Sequence, residues 1–171
     1  MIETEIKFKI NNIDEIIEKI KGVRPDIFYC KDEIYGKGIN YKTTKIRKRT
    51  IISQKGISIS YEQTKLLKPK NNTTQTKEIK LTKIPKNYKC ENSYDKIRYF
   101  FKRLNYSITI DIYFFGMFCE IEGKEEKIKQ VAERLGFQIK DSFKDNIDLL
   151  YVKWASSQKR KELFHWGFGK F

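Results

Sequence analysis

The chain has 171 residues, 39% of them hydrophobic, enough for one domain with a real core and too few to expect two. Lysine and arginine outnumber aspartate and glutamate by 36 to 22, so the net charge of +14 calls for anionic partners or a lysine-coated surface. Cys30, Cys90 and Cys119 lack paired spacing, His165 is the only histidine, and no long apolar run occurs, which argues against a disulfide framework, structural zinc, a ready-made catalytic triad and a membrane span. The expectation is a cytoplasmic protein with reduced thiols and no membrane partner.

Residues 2–10 alternate charged and apolar side chains, as a strand does, so Glu3, Glu5 and Lys7 leave one face. Asn11 or Asn12 then offers an N-cap to a helix carrying Ile13, Ile16, Ile17 and Ile20, with Gly22 as its stop. Segments near 26–36, 43–52 and 57–66 are rich in strand-forming residues, and the turn-like Gln54-Lys55-Gly56 joins the last two as a hairpin. Residues 68–72 break the pattern as a mobile loop, after which 76–82 resumes as a strand.

Between 93 and 104, Ile97, Phe100, Phe101 and Leu104 recur at helical spacing and predict a second helix. Strands follow at 108–113 and 118–123. Ile128, Val131, Ala132 and Leu135 then line a helix with Gly136 at its C-cap, and Ile147, Leu150, Tyr151 and Trp154 line a last helix with the basic exit Lys159-Arg160-Lys161. The chain reads as a single domain over 1–171, with 153–171 as a helical and aromatic C-terminal extension.

Two further charged sets alternate like the first: Arg47 with Arg49, and Glu120 with Glu122. Each set alone reads as a solvated strand face; together they suggest one ionic interior. The fold class is α+β, with antiparallel strands and helices packed outside. A charged strand face survives burial where opposite charges meet across it, as in a barrel with a wet lumen; an open sheet with its charged face in water gives the same periodicity.

These motifs resemble the CYTH family, the triphosphate tunnel metalloenzymes, which includes class IV adenylyl cyclases, thiamine triphosphatases and inorganic triphosphatases. Glu3, Glu5 and Lys7 match its ExExK signature, Ile46-Arg47-Lys48-Arg49 its paired-arginine strand, and Phe118-Cys119-Glu120-Ile121-Glu122-Gly123 its late Glu-x-Glu strand. Lys31-Asp32-Glu33-Ile34-Tyr35 is similar to its second-strand segment, Glu78 and Asp111 fall where the family carries acids, and Leu135-Gly136-Phe137 resembles its helix ending. The lysine after the arginine pair falls on Lys65, with Glu62 as the nearer pattern. A basic strand before Asp111 is expected to be shortened or missing, leaving Arg98 or Arg103 to supply the second arginine.

The resemblance implies an antiparallel tunnel with a charged lumen and a divalent cation, Mg²⁺ or Mn²⁺, held by Glu3, Glu5, Glu120 and Glu122 with Glu78 and Asp111. Lys7, Arg47, Arg49 and Lys65 would grip a triphosphate, and Glu5, Glu122 and Lys7 would serve the chemistry. The expected reaction is hydrolysis of thiamine triphosphate, tripolyphosphate or a nucleoside triphosphate. Cyclisation of ATP to cyclic AMP and pyrophosphate uses similar parts. A nucleic-acid binder, suggested by the charge and by aromatics near basic residues, an RNA 5′-triphosphatase with an RNA 5′ end as partner, and a non-catalytic triphosphate or polyphosphate binder are the further alternatives; in each case a monomer or homodimer is expected.

Overall fold

Alternation over the first strand separates two environments, with Ile6, Phe8 and Ile10 buried on one side and Glu5 and Lys7 on the other. The computed structural model describes residues 2–36, 44–66, 74–158 and 165–168. The strands are β1 (Ile2–Ile10), β2 (Asp26–Gly36), β3 (Thr44–Ser53), β4 (Gly56–Leu66), β5 (Thr74–Leu81), β6 (Lys89–Lys102), β7 (Tyr106–Tyr113), β8 (Gly116–Gly123) and the short β9 (His165–Trp166). The helices are α1 (Ile13–Lys19), α2 (Glu125–Arg134) and α3 (Ile147–Ser157).

The strand order is β2-β3-β4-β5-β1-β8-β7-β6, and β6 pairs in turn with β2, so each of these eight strands has a neighbour on both sides. All of these pairings are antiparallel, and the sheet curls into a tunnel-like barrel. β9 lies parallel to β6 at Ser93 and Tyr94, beyond the stretch of β6 that β7 reaches.

Outward side chains of one half of the barrel meet the helices. Phe8, Phe101, Ile108, Ile110 and Ile121 pack against Ile16 of α1, its C-cap Ile20, and Ile128, Val131 and Ala132 of α2. Each such side chain contributes about 1.5–3 kcal/mol when fully buried. Asn12 caps α1 by accepting from the Asp14 amide at 2.9 Å. Gly136, at φ +90°, turns the chain out of α2, and Lys19 Nζ donates to the Leu135 carbonyl at 2.9 Å, tying the two helix ends together.

A second core fills one end of the lumen. Ile34, Tyr94, Tyr113, Phe115 and Phe118 pack on Tyr151 and Ala155 of α3. Asn146 caps α3 by accepting from the Leu149 amide at 2.9 Å. Asp148 in its first turn accepts from Lys45 Nζ at 2.6 Å and from Asn92 Nδ2 at 2.8 Å, pinning the helix to β3 and β6. At the opposite end β2 begins, β3 and β6 finish, and the 54–55 turn joins β3 to β4.

The predicted helix over 93–104 is instead the second half of β6, so no basic strand is missing before Asp111. Phe101 faces the helix-packed core, Phe100 faces the lumen, and Leu104 lies 98% exposed in the following turn. The three-and-four spacing there arises from apolar residues on both faces of one strand. The expected loop at 68–72 and the basic exit at 159–161 lie outside the described residues. Cys30, Cys90 and Cys119 are free thiols, and among the described residues no helix is long and apolar enough to cross a membrane.

Candidate functional site

Strand parity sends one set of charged side chains into the lumen. The pairings Arg49↔Asp32, Asp32↔Tyr94, Arg98↔Asp111 and Lys7↔Glu120 place members of distant segments on that common inner face. The inner face divides by sign around the ring. Strands β3 and β6 carry Arg47, Arg49, Lys96 and Arg98, with Asp32 of β2 and Asp111 of β7 beside them; β4, β5, β1 and β8 carry Glu62, Glu78, Glu5, Glu120 and Glu122, with Lys7 of β1 among them.

Two buried aspartates hold the basic side in shape. Asp32, 1% exposed, accepts from Arg49 Nε and a terminal guanidinium nitrogen, both at 2.7 Å. Asp111, also 1% exposed, accepts from Arg98 Nε at 2.6 Å, from a terminal nitrogen of Arg98 at 2.5 Å, and from Lys96 Nζ at 2.7 Å. Burial alone raises both acids, but Arg49 at Asp32 and Arg98 with Lys96 at Asp111 outweigh it and hold both carboxyls well below the usual range. Burial and then Arg98 push the Lys96 ammonium down; on this side four cations, Arg47, Arg49, Lys96 and Arg98, stand against the two aspartates.

Arg47 extends this side toward the acids. It donates to Glu62 at 2.6 Å and reaches Glu78 at 3.4 Å, while its buried Nε finds no acceptor among the described residues. A buried guanidinium donor without an acceptor is costly, and a phosphate oxygen would satisfy it.

The acidic side has the opposite imbalance. Glu5 and Glu122 are register partners on β1 and β8. Burial raises Glu122, and the neighbouring carboxylates of Glu5, Glu78 and Glu120 raise it further. Burial likewise raises Glu78, an effect that Arg47 only partly offsets and Glu62 reinforces. Lys7 sits within this group, 2.9 Å from Glu5 and 3.5 Å from Glu120. Burial opposes its charge, but those two glutamates prevail and raise its pKa.

The predicted site residues therefore divide. Glu5, Lys7, Arg47, Arg49, Glu78, Asp111, Glu120 and Glu122 share the lumen face. Glu3 stands in register with Thr76 and Lys65 with Thr44 and Lys77, their side chains lying outside the described residues. Beside Arg47 the register position belongs to Glu62. Asp111, expected with the metal ligands, has both oxygens engaged by Arg98 and Lys96, and Lys7, expected at the phosphate, is held among glutamates. Arg103, the alternative second arginine, donates to the Lys21 carbonyl, and Arg98 faces the lumen in its place. The sequence reading missed Lys96, whose signal was the alternation Tyr94-x-Lys96-x-Arg98 within a segment taken for a helix. Among the described residues no three acidic, histidine or cysteine side chains form a ready-made cation cluster.

The arrangement defines a tunnel fold with a lumen polarised across its width. The chain is similar in structure to the PH1012 protein of Pyrococcus horikoshii, with a TM-score of 0.66 and 21% identity over 82% of this chain and 94% of that one. It is similar to a protein of Vibrio parahaemolyticus described as a candidate adenylate cyclase, with a TM-score of 0.67 and 17% identity over 91% of this chain and 98% of that one. It is also similar to HpAC1 of Hippeastrum, a candidate adenylyl cyclase described as having a dominant triphosphatase activity, with a TM-score of 0.61 and 9% identity over 95% and 98% of the two chains. No protein-family model matches the chain, and no curated protein matches it by sequence. At these identities the likeness is one of fold, and it is the fold that the sequence motifs imply.

Proposed function

We propose that the protein is a divalent-metal-dependent phosphohydrolase acting on a triphosphate-containing substrate inside the tunnel. The observation that carries this reading is the separation of charge across one lumen: guanidinium and ammonium groups without enough anions face glutamates without enough cations. A triphosphate with its bound cation is complementary to both sides at once.

Arg47, Arg49 and Arg98 suit phosphate oxygens because each planar guanidinium offers paired donors, and Lys96 adds a point charge. Asp32 and Asp111 act through these cations, fixing their direction before substrate arrives. Mg²⁺ or Mn²⁺ fits the acidic side by its donor chemistry, since Glu5, Glu120 and Glu122 offer hard carboxylate oxygens that outnumber the Lys7 and Arg98 cations beside them; Glu3 would join them. Bound there, the cation would neutralise phosphate charge and polarise the reacting phosphoryl group. Glu122, raised by burial and by the carboxylates around it, suits orientation and deprotonation of water, with Glu5 as its neighbour. Lys7 keeps these glutamates ionised and aligned.

Water attacks the terminal phosphorus in line, the bond to the bridging oxygen breaks, and orthophosphate and a diphosphate leave. The fold shared with candidate adenylate cyclases supports a second reading, in which the 3′-hydroxyl of ATP attacks the α-phosphorus and pyrophosphate leaves. Incubation of ATP, GTP, thiamine triphosphate, tripolyphosphate and triphosphorylated RNA with Mg²⁺ or Mn²⁺, scoring each product separately, tests the proposal. Orthophosphate release supports hydrolysis. Cyclic AMP with pyrophosphate selects the second reading, and salt-sensitive RNA binding without turnover selects a binding module.

A further inference from the structure

β4 is paired on both sides over only part of its length. Its register with β5 begins at Tyr61↔Leu81, whereas its register with β3 runs back to Gly56. Among the described residues Gly56–Ser60 therefore has no neighbour on the side away from β3, and every residue of that stretch is exposed. The two-residue connection Gln54-Lys55 makes Ser53 and Gly56 a bonded pair, and bonded pairs recur at every second residue along an antiparallel ladder. Ser58 and Ser60 thus give their backbone groups to β3, while Ile57 and Ile59 turn N–H and C=O to the open side.

Open edges are ordinarily blunted by lysine, proline, a bulge or a covering segment. This one reads Gly56-Ile57-Ser58-Ile59-Ser60, with no charge and no proline in a chain whose residues are 34% charged, and its register with β3 is unbroken. Ile57 is 71% exposed and Ile59 53%. Both stand on the outer face, opposite in parity to Glu62. There Ile57, Ile52, Tyr29 and Ile97 are register partners in turn across β4, β3, β2 and β6, and none of them belongs to either hydrophobic core.

We propose that this edge pairs antiparallel with the same edge of a second copy of the chain, joining the two barrels through one continuous sheet. The edge is self-complementary about Ser58. With a two-fold axis at that residue, Ile57 meets Ile59 of the second copy and Ile59 meets Ile57 of the second copy, each pair exchanging both backbone bonds, and Ser58 meets its own equivalent. Isoleucines then lie beside isoleucines on the outer face, and the small residues Gly56, Ser58 and Ser60 line the other. An extended segment of a different protein would engage the same backbone groups, but the edge carries no charge with which to select its side chains, and the two-fold match favours a second copy. Both copies carry the +14 net charge away from the edge, so association works against repulsion and strengthens as salt rises.

Sedimentation equilibrium of the full chain, over a range of loading concentrations at low and high salt, tests the proposal. The wild type is expected to form a dimer, tighter at high salt. Ile59→Pro removes the amide aimed at the second copy and none given to β3, so the fold is kept and the dimer dissociation constant rises about tenfold or more. Ser58→Lys and Ser58→Asp each set like charges face to face across the axis and are expected to give monomers, whereas an equimolar mixture of the two gives a heterodimer. This rescue serves as the test where the proline variant does not fold. A wild type that stays monomeric at every concentration and salt, a dimer that the Ile59 and Ser58 variants leave intact, or Ser58 variants whose mixture stays monomeric would each overturn the proposal.

Discussion

Asp111→Asn tests the organisation of the basic side, because the substitution keeps shape and removes one buried charge. Asp111 takes two bonds from Arg98, at 2.6 and 2.5 Å, and one from Lys96 at 2.7 Å, while Lys96 itself is only 3% exposed. With asparagine, two buried cations lose their anion and one carboxylate acceptor becomes an amide donor. Removing one partner of such a pair costs about 3–5 kcal/mol. For a chain of this size that corresponds to roughly 10 °C in melting temperature. Tripolyphosphate then supplies the missing anion, so it should raise the melting temperature of the variant more than that of the wild type. Thermal and urea melts with and without tripolyphosphate measure both effects. A loss below about 1 kcal/mol, or equal stabilisation of both proteins by tripolyphosphate, would refute the reasoning.

Asp32 and Asp111 have depressed folded pKa values, so their stabilisation is complete above the ordinary aspartate value of 3.8 and fades as pH falls through the lower folded values; acid melts of Asp111→Asn should therefore be flatter below that pH. Glu122 is raised, so the folded state holds its proton better than the unfolded chain, and its contribution is lost as pH rises from 4.5 through the raised value. Glu122→Gln should accordingly abolish metal-dependent turnover yet make the fold more stable at pH 7 than the wild type, and urea melts at pH 4.5 and 7 with an orthophosphate assay check both. Arg47→Ala removes a bond to Glu62 and the buried Nε, and calorimetry should show tripolyphosphate binding weakened by about 1.5–3 kcal/mol. Asp148→Ala frees Lys45 and Asn92 from α3, so hydrogen exchange should show α3 opening faster while α2 is unaffected.

Charge alternation made β1, β3 and β8 legible, because a two-residue period of like polarity has no helical explanation. The acids on β1 and β8 and the arginines on β3 could be expected to meet from motif order alone. β6 was not legible, since Ile97, Phe100, Phe101 and Leu104 imitate a helix face while serving a solvent-facing wall, the lumen, a helix-packed core and a turn. Losing that strand also hid Lys96 and left Arg98 one of two alternatives. The role of Asp111 was illegible for a different reason: an aspartate on a lumen face can bind a cation or orient an arginine, and only the side chain of the strand beside it decides between them.

The central claim is a lumen with a phosphate-binding side and a cation-binding side. Its most direct measurement is a crystal structure of the protein with Mn²⁺ and a non-hydrolysable triphosphate analogue, with the manganese located by anomalous scattering. The account predicts phosphate oxygens on Arg47, Arg49 and Arg98 and manganese beside Glu5, Glu120 and Glu122. A triphosphate bound to lysines on the outer surface, with the lumen holding neither ion, would contradict it.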